Sequence, residues 1–249
     1  MKKIIIANWK MNPNSQKQAI SLLGGLGRLL KKSNVDVVIC PPFVYLPLVN
    51  KKLINNKFKL GAQDCFWEKQ GAFTGEISLR MLLDLGVKYV ICGHSERRRF
   101  GETDIDINKK LKAVLTAGMS PVLCVGETKE QRKKRQTFSI IEQQVREGLS
   151  KVSKQQIAKV IIAYEPVWAI SPNGPCSSDE AITIILFLRK IIGEIANKKV
   201  GNSIKILYGG SINSEDVKEY IVSDFISGVL VGAASLSASE FIKVVENST

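Results

Sequence analysis

The chain has a single histidine, His94, in the stretch Cys92-Gly93-His94-Ser95-Glu96-Arg97, directly after the apolar run Tyr89-Val90-Ile91. One imidazole excludes HExxH zinc sites, paired-histidine metal sites and Cys2His2 fingers. Whatever His94 does, it does alone or beside carboxylates. Glu165 ends a second apolar run, Val160-Ile161-Ile162-Ala163-Tyr164. An imidazole and a carboxylate at two strand ends are the beginnings of a proton-transfer site. A helix starting at Ser95-Glu96-Arg97 would aim backbone N–H dipoles at the ring and favour its uncharged form, a donor to a carbonyl oxygen. Lys10, between Trp9 and Met11, is either exposed charge or an ammonium that offsets negative charge building on a substrate oxygen.

Small residues supply a possible anion grip. Gly209-Gly210-Ser211 and Gly232-Ala233 expose backbone N–H groups that suit phosphate, although glycines also simply make turns. No GxxxxGK[ST] sequence is present, so nucleotide phosphates are not indicated. Two further readings are weaker. Glu96 and Glu127 would make a glycosidase pair, but each precedes a base, Arg97 and Lys129, and ion pairing is the better expectation. Cys124 beside His94 would make a thiolate nucleophile, but it lies inside Val122-Leu123-Cys124-Val125, where a thiol is buried and inert.

Elements must bring these residues together. Short Val/Ile/Leu-rich runs predict strands over 3–8, 35–40, 59–63, 88–93, 121–126, 160–165, 204–208 and 229–232, as near-continuous as parallel strands covered on both faces. Amphipathic stretches between them predict helices over 16–32, 47–54, 78–85, 105–117, 138–151, 179–196, 215–222 and 239–245. Each strand–helix repeat averages about 31 residues, the size of one βαβ unit. No linker or composition shift divides residues 1–249, so one domain is expected. A doubly wound dinucleotide fold would need GxGxxG after the first strand, where Asn8-Trp9-Lys10-Met11-Asn12 stands instead. The expectation is an α/β fold of the (βα)8 barrel type, with chemistry at the carboxyl ends of the strands. Asn8, Lys10, His94, Glu96, Glu127, Glu165 and the two glycine segments would then share one mouth.

Composition narrows the partners. With 249 residues, 45% of them hydrophobic, the chain can bury a sizeable core. Ile4-Ile5-Ile6-Ala7 is interrupted by Asn8 and Lys10, so it is no signal-peptide core, and no apolar run is long enough to span a membrane. Five widely spaced cysteines without a CxxC pair suit reduced thiols in a cytoplasm. The formal charge of +13 reads first as solvated lysine-rich helix faces and second as a field that draws in an anionic small substrate. Specific nucleic-acid binding is disfavoured, because Arg97-Arg98-Arg99 and Arg132-Lys133-Lys134-Arg135 lack interleaved aromatics.

Taken together, the chain resembles the triosephosphate isomerase family over essentially its full length. The resemblance rests on Ala7-Asn8-Trp9-Lys10-Met11-Asn12, Pro41-Pro42, Gly61-Ala62-Gln63-Asp64, Gly71-Ala72-Phe73-Thr74-Gly75-Glu76, Gly93-His94-Ser95-Glu96-Arg97-Arg98, Cys124-Val125-Gly126-Glu127, Ala163-Tyr164-Glu165-Pro166-Val167-Trp168-Ala169-Ile170, Tyr208-Gly209-Gly210-Ser211 and Leu230-Val231-Gly232. It implies interconversion of dihydroxyacetone phosphate and glyceraldehyde 3-phosphate, in glycolysis and gluconeogenesis, without cofactor or metal. It implies Glu165 as the base, His94 as the neutral electrophile, and Lys10 with Asn8 at the enediolate oxygen. Phosphate would be bound through the backbone of Ser171, Ser211, Gly232 and Ala233, with Ser95, Glu96, Cys124 and Tyr208 in support. Phe73-Thr74-Gly75 resembles the loop by which the family's homodimers reach a neighbouring subunit near Asn8 and His94.

One departure stands out. Ser171-Pro172-Asn173-Gly174-Pro175-Cys176 replaces the family's usual Gly-Thr-Gly-Lys lid tip, while the hinge Pro166-Val167-Trp168 and the latch Tyr208 are intact. Two prolines stiffen that tip, and Pro172 pushes Ser171 toward extended backbone. The expectation is a lid that closes with altered kinetics and retained catalysis. An isomerase of another phosphosugar, and a catalytically weakened homologue with an altered lid serving a binding role, are the competing readings. Ala233, where glycine is common in the family, keeps its N–H and adds one methyl group.

Overall fold

The computed structural model describes residues 2–26, 34–53, 58–170 and 176–249. Eight strands form a closed barrel in chain order: β1 (Ile4–Asn8), β2 (Asp36–Cys40), β3 (Lys59–Ala62), β4 (Tyr89–Cys92), β5 (Ser120–Val125), β6 (Ile161–Tyr164), β7 (Lys205–Tyr208) and β8 (Gly228–Val231). Every neighbouring pair is parallel, and β8 closes on β1 through Ile4↔Gly228 to Ala7↔Val231. The (βα)8 expectation holds, and each predicted strand lies within a residue or so of the observed one at either end.

Alternation along each strand builds two cores, because successive Cβ atoms point to opposite faces. Ile4, Ile6, Val38, Cys40, Ile91, Val122, Cys124, Ile161, Ala163, Leu207 and Leu230 fill the barrel interior. Ile5, Ala7, Val37, Ile39, Val90, Cys92 and Leu123 face outward into the layer packed under the helices. Ile4, Ile5 and Ile6 are fully buried, each contributing on the order of 1.5–3 kcal/mol relative to exposure.

The helices are α1 (Gln16–Leu26), α2 (Leu46–Leu53), α3 (Leu79–Asp84), α4 (Ser95–Arg99), α5 (Asp104–Thr116), α6 (Lys129–Lys133), α7 (Thr137–Gly148), α8 (Lys154–Ile157), α9 (Ser178–Ile195), α10 (Lys198–Ser203), α11 (Val217–Ile221) and α12 (Ala238–Glu246). The predicted 16–32 and 47–54 helices run out of the described residues at their far ends. The 138–151 prediction overruns: α7 stops at Gly148, and Lys151 takes a left-handed φ of 58°. Four short helices, α4, α6, α8 and α10, escaped the periodicity reading because four to six residues are too few to show a period of 3.6. Two of them, α6 and α8, begin with capping boxes, Thr128 with Gln131 and Ser153 with Gln156, which the S/T-x-x-Q spacing carries.

Candidate active site

Five strand ends converge on one cavity of about 220 Å³, lined by Asn8, Lys10, His94, Glu165, Gly209, Gly210, Ser211, Gly232 and Ala233 among others. Asn8 ends β1, His94 follows β4 by two residues, Glu165 follows β6 by one, and the small-residue segments follow β7 and β8 directly. Residues separated by up to 225 positions thus meet because parallel strands in register all end at the same rim.

Glu165 is almost wholly buried. Its backbone N–H donates to the Val125 carbonyl (2.8 Å), and its Oε2 accepts from the Ser95 N–H at the start of α4 (2.9 Å). Its Oε1 lies 3.4 Å from His94 Nε2 and has no hydrogen-bond partner. Close packing allows this placement: a Cβ on Gly126 would stand 1.8 Å from the Glu165 carbonyl oxygen. Only glycine lets the end of β5 approach so closely.

His94 is the N-cap of α4, and its Nδ1 accepts from the Glu96 N–H (3.2 Å). A nitrogen that accepts carries a lone pair, so the hydrogen of the uncharged ring sits on Nε2, facing Glu165. The helix expected at Ser95 therefore exists, and its first amides serve both chemical groups.

Lys10 adopts φ 54°, uncommon for a side-chain-bearing residue. Asn8 Oδ1 accepts from its N–H (3.0 Å) and Gln63 Nε2 donates to its carbonyl (2.8 Å), so both backbone polar groups are held. The turn brings the ammonium to the cavity, where Nζ donates to Glu96 Oε1 at 2.8 Å. Burial works against the charged form of Glu96, but the hydrogen bond and charge of Lys10 outweigh it and hold the carboxyl below its usual range.

The expected pairing of Glu96 and Glu127 with their immediate basic neighbours is corrected here. Glu96 pairs with Lys10, while Arg97 pairs with Asp64. Glu127 is fully buried behind the cavity rim, accepting from Trp168 Nε1 (2.7 Å) with Tyr164 OH at 3.3 Å and Arg132 Nη1 at 3.8 Å. Burial raises its pKa despite those bonds. Adjacent residues on one turn point apart, so sequence proximity chose the wrong partners. Arg132 instead lies over the Trp168 ring, 3.9 Å from its centroid. Trp168 belongs to a one-turn 3-10 helix, Val167–Ala169, on the cavity rim.

Cys124 is buried in the barrel interior below Glu165, and burial together with the Glu165 charge pushes its thiol well above the usual value. It is no nucleophile. Tyr208, buried at the end of β7, accepts from the Cys176 N–H at 3.2 Å. Ser211 N–H reaches the Ala169 carbonyl at 3.4 Å. Ser171 and Pro172–Pro175 of the departed lid tip lie outside the described residues. Residues 68–76 are exposed throughout, with Phe73 folded against Phe66 (centroids 4.8 Å apart) and Thr74 and Gly75 at the surface. Among the described residues no cluster suits a metal ion and no helix is long and apolar enough to cross a membrane. Gln63 and Gly126 lie in the motifs quoted above, but only the geometry reveals what each does.

Known proteins are similar to this chain over nearly its whole length. The triosephosphate isomerase family model matches residues 3–248. The chain is 45% identical to triosephosphate isomerase of Thermoanaerobacter pseudethanolicus over 243 residues, covering 97% of this chain and 98% of that one. It is 45% identical to that of Endomicrobium trichonymphae over 249 residues (99% of each) and 44% identical to that of Aquifex aeolicus over 246 residues (98% and 99%).

Proposed function

The chain belongs to the triosephosphate isomerase family, and from that premise we propose that Glu165, His94, Lys10 and Asn8 interconvert dihydroxyacetone phosphate and glyceraldehyde 3-phosphate through an enediolate. The observation that carries the reading is the pair formed by Glu165 Oε1, a carboxylate oxygen with no hydrogen-bond partner, and His94 Nε2, 3.4 Å apart on one cavity.

Glu165 takes a proton from one substrate carbon and returns it to the next. Its Ser95 hydrogen bond leaves Oε1 available for that task. The Nε2–H of His94 donates to the substrate carbonyl, whose oxygen gains charge as the proton leaves carbon. Lys10, aimed by its left-handed turn and steadied by Glu96, offsets that charge, with Asn8 holding the turn. Ser211, Gly232 and Ala233 line the same cavity and would take the phosphate on backbone N–H groups, that of Ser211 giving up its long contact with the Ala169 carbonyl. Ser171 is assigned to the same anion on the family resemblance alone.

Residues 1–249 would form one barrel domain, working as a homodimer through the exposed Phe73-Thr74-Gly75 segment, in the cytoplasm. Neither the site nor the comparisons favour a weakened homologue with a binding role. Steady-state kinetics of Glu165→Gln tests the assignment: kcat should fall about a thousandfold, in the range of a lost general base, with KM little changed. A variant with near-normal kcat overturns it.

A further inference from the structure

We infer that Tyr220 is a positioning residue for the phosphate-binding backbone after β7, acting through Tyr208; this rests on the assignment of Ser211 to phosphate. Tyr220 lies on α11 and is buried, as is Tyr208 at the end of β7. Their rings stack with centroids 4.1 Å apart and an interplanar angle of 8°. Both hydroxyls converge on one residue. Tyr208 OH accepts from the Cys176 N–H at 3.2 Å, and Tyr220 OH donates to the Cys176 carbonyl.

The Tyr208 hydroxyl also stands 2.1 Å from where a Cβ on Gly210 would be. Its ring therefore occupies the space that a side chain at Gly210 would fill, directly against the backbone assigned to phosphate. A tilt of Tyr208 must displace Gly210 or open a void beside it. Tyr220 limits that tilt by stacking on one face of the ring and by tying down the Cys176 peptide that Tyr208 grips from the other side. The hydrogen bonds on the groups that move the proton come from α4, Glu165 from the Ser95 N–H and His94 from the Glu96 N–H, while Gly209 stands between Tyr208 and the Glu165 side chain. Tyr220 thus bears first on substrate grip, through Gly210.

Tyr220→Phe removes the hydroxyl and leaves the Cys176 carbonyl buried without that donor. Inorganic phosphate, used as a competitive inhibitor, reads that backbone directly. In Tyr220→Phe the phosphate inhibition constant and KM should both rise about fivefold, the effect of one lost buried hydrogen bond, with kcat within about twofold of the parent. Tyr220→Leu, which also loses the stack, should raise both further, and it serves if the phenylalanine variant does not accumulate. A purely structural role would lower the urea midpoint while phosphate inhibition and KM stayed put, and that result overturns the inference. Ser211→Asp separates the two assignments by placing a carboxylate at the backbone assigned to phosphate. If it leaves phosphate inhibition intact, the phosphate assignment falls, and the role of Tyr220 with it. If it weakens inhibition while both Tyr220 variants do not, only the role of Tyr220 is overturned.

Discussion

Lys10 and Glu96 show how much one residue's backbone can decide. Lys10 is legible as a possible charge stabiliser, but nothing in Trp9-Lys10-Met11 announces a φ of 54°, and without it the ammonium would not meet Glu96. The pair has a measurable consequence. Glu96 titrates below its ordinary 4.5 in the folded state, so its ionised form adds stability above that pH and the gain disappears as pH falls through the depressed value. Urea midpoints of the parent and Glu96→Gln should therefore differ near pH 6 and converge as the pH falls well below the ordinary carboxyl range. A gap that persists in acid would mean that Glu96 acts through packing rather than charge. Its carboxylate is part exposed, so the effect is modest.

At the scale of elements, the approach of β5 to the residue after β6 sets the base. Gly126 admits the Glu165 carbonyl where any side chain would collide with backbone. Gly126→Ala must push Glu165 away from His94, and a misplacement of about 1 Å can cost about a hundredfold in rate. Single-turnover kinetics should show that loss even where circular dichroism reports an intact barrel, and an unchanged rate would remove Gly126 from the positioning scheme. The eight strands were legible because most are near-continuous apolar runs long enough to bury on both faces, and β3, Lys59-Leu60-Gly61-Ala62, was found by its place in the repeat. Helices α6 and α8 were legible only through their caps. The contacts of Trp168 with Glu127 and Arg132 were not legible at all, since they join residues 41 and 36 positions apart across elements.

For the molecule as a whole, the homodimer proposed above makes exposed Phe73 the apolar side chain to test. Sedimentation at micromolar concentration should give about twice the 27.5 kDa chain mass. Thr74→Arg, which places a long cation on the exposed loop, should yield monomers of reduced kcat/KM; a fully active monomer would refute the role of that loop. The sequence by itself determined the chemistry available: one imidazole, carboxylates at three strand ends, small residues at two others, and strand–helix repeats in sufficient number to close a barrel. Those follow from residue identity and from periodicity, which are local. The tertiary structure alone decided which oxygen of Glu165 is free, which nitrogen of His94 holds its hydrogen, which base meets Glu96, and that two tyrosines share one peptide. Each of these is a contact between distant segments, and such contacts exist only once the barrel has set the distances.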